Sequence, residues 1–104
     1  MIRHVVLFKL KPGVRRDDPR VKRWMQLSDE LPNQIPQVVS WEGGWNVSDR
    51  PIAYDFGQNS SYRSREDLAI YLPHPAHQAM VAVAREVADW VLADYEFSEG
   101  TGNK

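Results

Sequence analysis

Apolar residues recur at every second position in four segments of the chain, which is the spacing expected of β-strands. The predicted strands are Ile2–Leu10, Val38–Trp45, Tyr54–Tyr62 and Leu92–Phe97. The first is apolar on both faces at its centre, which favours a central position in a sheet. The third is unusually polar, because its centre reads Gln58-Asn59-Ser60-Ser61.

Apolar residues spaced three and four positions apart predict helices between these strands. The first helix covers Val21–Leu31, and Pro32 is expected to end it. Two helices are predicted between the third and fourth strands. The shorter one has a candidate N-cap at Ser64 and ends at Tyr71. The longer one has Pro75 at its first helical position and an apolar stripe that reaches Trp90 and Val91.

The order of these elements, β-α-β-β-α-β, is typical of the ferredoxin-like class of α+β folds. It predicts a four-stranded antiparallel sheet with the helices on one face. The opposite face carries apolar residues such as Val5 and Leu7, which a monomer would leave in water. We therefore expect a homodimer in which two sheets pack against each other.

Composition is that of a single globular domain. The chain has 104 residues, of which 42% are hydrophobic and none is cysteine. This length supports one core, so we predict a domain over residues 1–98 and a flexible polar tail over residues 99–104. The lack of cysteine excludes disulfides, thiol nucleophiles and thiolate metal sites.

Charge and hydropathy argue against nucleic acid and membranes as partners. Thirteen basic residues face 14 acidic ones, giving a formal net charge of −1, whereas a nucleic-acid-binding module normally carries a clustered basic excess. The apolar run in Met1–Leu10 is broken by Arg3, His4 and Lys9, and it is too short for a signal peptide or a membrane span. We expect a cytoplasmic protein that binds neither nucleic acid nor a membrane.

The candidate chemistry lies where the topology gathers histidines. His4 is on the first strand, and His77 is in the first turn of the last helix, three positions before Met80 and on the stripe that faces the sheet. Tyr71 ends the preceding helix. These three side chains are expected to border one cavity, with His77 as a general base held by Tyr71. His74, beside the helix start, need not face inward.

Other interpretations of these residues remain open. His77 could be a structural residue of an ordinary core whose imidazole donates a hydrogen bond to a backbone carbonyl. The segment His74-Pro75-Ala76-His77 has two potential metal ligands but no cysteine or carboxylate partner. Haem ligation by His77 has no supporting motif, and Gly43-Gly44 lacks the flanking pattern of a phosphate loop. We predict no metal and no cofactor.

Several motifs together resemble the stress-responsive A/B barrel (Dabb) family. They are Ile2-Arg3-His4-Val5-Val6-Leu7-Phe8-Lys9-Leu10, Asn46-Val47-Ser48, Tyr71-Leu72-Pro73-His74-Pro75-Ala76-His77-Gln78 and Asp94-Tyr95. The resemblance spans roughly Ile2 to Phe97 and implies a dimeric α+β barrel. The family includes stress-induced plant proteins, bacterial members without assigned activity and a plant polyketide cyclase.

The resemblance to the cyclase implies roles for individual residues. It implies that His77 and Tyr71 are catalytic and that His4 binds the substrate. His77 would remove an activated proton between carbonyls, and Tyr71 would orient the enolate. The polar stretch Gln58–Ser61 departs from the family pattern and disfavours long alkyl substrates. A non-catalytic stress-protection or interaction dimer, and a monooxygenase-like protein, remain alternatives.

Overall fold

The computed structural model describes residues 1–98, so the predicted tail at residues 99–104 lies outside the described residues. The elements follow in the order β1 Ile2–Leu10, α1 Pro19–Gln34, β2 Ser40–Trp45, β3 Phe56–Tyr62, α2 Arg65–Tyr71, α3 Pro75–Val87 and β4 Ala88–Glu96. The strands form one sheet in the order β2-β3-β1-β4, in which all neighbours are antiparallel. The predicted ferredoxin-like α+β fold and the central position of β1 are confirmed.

The two faces of the sheet differ in cover. The inner face packs against α1 and α3, and its residues on β1, which include Ile2, Val6 and Phe8, are buried. The outer face leaves Leu7 43%, Val91 51% and Tyr95 51% exposed. Leu7 pairs directly with Val91, so these apolar side chains form a continuous patch on the uncovered face.

The helices begin where local chemistry starts them. Asp18 and Ser64 accept hydrogen bonds from the backbone N–H groups of Arg20 and Asp67, which caps α1 and α2. Pro75 occupies the first turn of α3, where a missing N–H costs nothing. The predicted cap at Ser64 and the predicted start at Pro75 are therefore confirmed.

Several predicted boundaries are wrong. The helix α1 begins at Pro19 rather than Val21. The strands β2 and β3 begin at Ser40 and Phe56 rather than at Val38 and Tyr54, because their pairing extends only from Ser40 with Ser61 to Trp45 with Phe56.

The first helix continues past Pro32 to Gln34, and the Ile35 N–H donates to the Leu31 carbonyl at 2.9 Å. Leu31 and Ile35 are both fully buried, so core packing holds the extra turn although proline lacks the N–H.

The boundary between the last helix and the last strand was also misplaced. Trp90 and Val91 belong to β4, not to the helix, and pair with Phe8 and Leu7. Pairing along all nine residues of β1, from Ile2 to Leu10, outweighs the helical spacing at these positions. Within residues 1–98, no helix is long and apolar enough to cross a membrane.

Candidate functional site

A cavity of about 240 Å³ lies between the inner face of the sheet and the helices. Its wall is polar near His4 and His77, at the start of β1 and of α3. It becomes apolar near Phe8 and Ala84, four and seven residues farther along the same elements. The cavity therefore has a polar end with titratable groups and an apolar end suited to hydrocarbon.

His77 contributes a neutral imidazole to the polar end. Its Nδ1 lies 2.7 Å from the Leu72 carbonyl oxygen, which can only accept, so Nδ1 carries the proton and donates. Burial lowers the pKa of His77 below its ordinary value of 6.5; the Leu72 hydrogen bond opposes this shift, and the nearby His4 and His74 reinforce it. The imidazole is thus unprotonated on Nε2 at neutral pH.

The second ring nitrogen of His77, Nε2, is not held by the fold. It has no hydrogen bond within residues 1–98, and every fully buried polar side-chain atom there has a partner. Nε2 must therefore retain some accessible surface, and His77 lines the cavity. The backbone hydrogen bond expected of a structural histidine is present, but it uses only one of the two ring nitrogens.

Tyr71 is close to both histidines. Its ring centroid is 4.4 Å from that of His77 and 6.1 Å from that of His4. Burial, with a smaller effect of the neighbouring Tyr62, raises the pKa of Tyr71. The phenol stays protonated at neutral pH, so it can donate a hydrogen bond but cannot act as a base.

His4 is held by a carboxylate that sequence reasoning had not placed in the site. Its Nδ1 contacts Oδ1 of Asp94, its partner across the β1 and β4 register. A carboxylate at Nδ1 favours the tautomer in which Nε2 is the basic nitrogen. Asp94 had been noted in a family motif, but its contact with His4 depends on the strand register.

Gln58 and Ser28 are two further polar residues of the wall that were not predicted as site residues. Gln58, on β3, is 7% exposed, and Ser28, on α1, is 4% exposed. The signal for Gln58 was its position on the inward-facing alternation of an unusually polar strand. Ser28 gave a weaker signal, because a serine on an apolar helical stripe is common in ordinary cores.

His74 does not join the site as a ligand or base. Its Nδ1 accepts a hydrogen bond from the Ala76 N–H at 3.1 Å and caps α3. Across residues 1–98, no group of three or more His, Cys, Asp or Glu side chains is arranged to hold a metal ion. The structure therefore brings His4, Tyr71 and His77 together, and it gives His74 a capping role.

Comparison with known proteins places the chain among relatives of the same size. A model of the stress responsive A/B barrel domain family, Dabb, matches residues 2–97. Uncharacterized protein SCO4036 of Streptomyces coelicolor is 57% identical over 97 residues, which cover 93% of this chain and 100% of that protein.

Solved structures share the fold. A dimeric ferredoxin-like protein of unknown function from Thermobifida fusca has a TM-score of 0.81 and 25% identity, covering 92% of this chain and 90% of its own. A hydroxynitrile lyase from Passiflora edulis has a TM-score of 0.80 and 17% identity, covering 94% of both chains.

Proposed function

The chain belongs to the stress-responsive A/B barrel domain family, and on that basis we propose that it is a homodimer that binds a small organic molecule in the cavity and acts on it by general-base chemistry. The observation that carries this proposal is the meeting of three buried side chains, His4, Tyr71 and His77, on the wall of one cavity.

The protonation states of two of these residues suit proton transfer. The pKa of His77 is lowered and that of Tyr71 is raised, so an unprotonated imidazole and a protonated phenol that can donate a hydrogen bond lie side by side at neutral pH. For a substrate with an activated C–H bond next to a carbonyl, Nε2 of His77 takes the proton. The Tyr71 hydroxyl donates to the oxygen on which negative charge develops.

His4 is assigned to substrate binding. Its contact with Asp94 holds the ring in one orientation, and its Nε2 is left to bind a polar group of the substrate. The side chain of Asp94 is 34% exposed, so this pair also connects the cavity wall with solvent. A fold similar to this one belongs to a hydroxynitrile lyase, so the architecture accommodates enzymatic activity in at least one other protein.

The uncovered sheet face supports the dimer. It carries the apolar patch around Leu7, Val91 and Tyr95, and a similar solved structure is described as dimeric. Packing this face against a second copy would remove the patch from water and leave the cavities on the opposite faces of the two sheets. We propose a cytoplasmic location, because a chain without cysteine forms no disulfides and so needs no oxidising compartment.

A test reaction can measure the proposed base without knowledge of the natural substrate. In 5-nitrobenzisoxazole, removal of the ring C–H proton by Nε2 of His77 forms a nitrile, breaks the N–O bond and releases a coloured phenolate. We expect the protein to accelerate this reaction and His77→Gln to lower the acceleration about 100-fold, the scale of a positioned general base.

A matched control is available in the same loop. His74→Asn removes an imidazole but retains a side chain that caps helices. Because His74 has only the smallest of the effects on the pKa of His77, this variant should change the rate far less than His77→Gln does. If His77→Gln reacts as fast as the wild type, His77 is not the base. If the wild type gives no acceleration, the alternative of a non-catalytic dimer replaces the proposal.

A further inference from the structure

We propose that Ser28 and Gln58 together form a polar notch that recognises a hydroxyl group on a compact ring, so that the natural ligand belongs to the phenols or similar ring alcohols. This inference rests on the proposed function of the same cavity and specifies the chemical class of its ligand. It follows from the hydrogen bonds that these two buried residues leave unmade.

The amide of Gln58 has a defined orientation. Its Nε2 donates to the Glu42 carbonyl at 2.7 Å and to the Asn59 carbonyl at 3.3 Å, so both amide protons are used. Its Oε1 has no hydrogen bond within residues 1–98. Every fully buried polar side-chain atom in these residues has a hydrogen-bond partner, so Oε1 of Gln58 must retain some solvent-accessible surface. Gln58 thus offers a free acceptor on the wall of the cavity.

Gly43 keeps this acceptor in place. A Cβ atom at position 43 would lie 2.9 Å from Oε1 of Gln58, closer than normal packing permits. Glycine therefore leaves the space in which the Gln58 amide is held between β2 and β3. The Gln58 amide is therefore a fixed part of the pairing between β2 and β3.

Ser28 supplies the complementary donor. Ser28 also lines the cavity, and its hydroxyl has no hydrogen bond within the described residues although the residue is almost fully buried. Trp24 contacts Phe56 with ring centroids 5.7 Å apart. Ser28 lies about 6 Å farther along α1, and Gln58 about 7 Å farther along β3, so the two residues lie at the same level of the cavity.

A hydroxyl group satisfies this pair because it donates and accepts at once. It can donate to Oε1 of Gln58 and accept from Oγ of Ser28, whereas a hydrocarbon would leave both groups unpaired. The cavity's volume of about 240 Å³, and its apolar end around Phe8 and Trp90, suit a ring rather than a long chain.

Two probes of the same shape test the notch. 4-Methylphenol carries a hydroxyl group where 1,4-dimethylbenzene carries a methyl group, and the two compounds are otherwise identical. Each can be titrated into the isotope-labelled protein, with binding followed by NMR. We expect Gln58→Met and Ser28→Ala each to weaken binding of 4-methylphenol about three- to tenfold, the range for one neutral hydrogen bond. Binding of 1,4-dimethylbenzene should stay the same or tighten.

The outcomes separate this inference from the proposed function. If both probes shift cavity resonances and both variants bind 4-methylphenol like the wild type, the notch is wrong and the cavity proposal stands. If neither probe binds the wild type, the inference of a ring hydroxyl ligand is overturned, and the proposed function is decided separately by the rate of the 5-nitrobenzisoxazole reaction. Ser28→Ala places a strong helix former within α1, so it serves as the test if Gln58→Met does not fold.

Discussion

Replacing Gly43 by alanine should destabilise the protein because its surroundings cannot move aside. The new Cβ would lie 2.8 Å from Cζ of Phe56, 2.9 Å from Oε1 of Gln58 and 3.1 Å from the Gly57 carbonyl oxygen. The Phe56 ring is enclosed by aromatic neighbours, with the Trp45 centroid 5.0 Å away. Gln58 is tied by its amide, and the Gly57 oxygen belongs to the backbone of β3.

The expected cost is that of overpacking a closed site, about 1–3 kcal/mol. For a domain of this size, each kcal/mol lowers Tm by about 4–8 °C. The neighbouring Gly44 is the matched control, because a Cβ there would meet nothing within 4 Å. Gly44→Ala should therefore be neutral or slightly stabilising, by less than about 1 kcal/mol.

Urea unfolding of both variants at one protein concentration measures the difference, and gel filtration separates a loss of folding from a loss of association. Gly43→Ala should show a lower midpoint with an unchanged denaturant slope. A Gly43→Ala variant as stable as the wild type would refute the argument, because β3 would then have moved to accept the methyl group. A similar loss of stability in both variants would show that the close contacts at position 43 are not its cause.

Two other predictions concern the dimer and the site. Leu7→Asp places a charge in the uncovered apolar patch, so light scattering should find a monomer that keeps the wild-type circular dichroism spectrum; an intact dimer would refute the sheet-to-sheet arrangement. For His77, the folded pKa lies below 6.5, so the unfolded chain binds the proton more readily, and stability falls as pH falls through about 6.5. Urea unfolding between pH 5 and 8 should show a smaller slope in His77→Gln, and an equal slope would refute a buried neutral imidazole.

Local patterns predicted most of the fold because they coincide here with long-range pairing. The alternation over Ile2–Leu10 predicted β1 to the residue. The segment Ala88–Val91 fits both helical spacing and alternation, and its pairing with β1 decides between them. The prediction that Pro32 ends α1 was wrong for a related reason, because burial of Leu31 and Ile35 outweighs the local cost of proline within a helix.

The site shows the same division. Helical spacing was enough to place His77 on the face toward the sheet, and alternation placed His4 on the inner face. The pairing of His4 with Asp94 needs the register of two strands that are 90 positions apart in the chain. The notch of Ser28 and Gln58 needs the packing of α1 across β3, and no local pattern encodes that.

A crystal structure with 5-nitrobenzotriazole, a planar mimic of the test substrate, examines the central claim most directly. We expect the mimic in the cavity, with a ring nitrogen within hydrogen-bond distance of Nε2 of His77 and its ring toward the apolar end near Phe8. The two sheets of a homodimer should pack through the Leu7 face. A mimic bound elsewhere, or a cavity left empty at saturating concentration, would contradict the account.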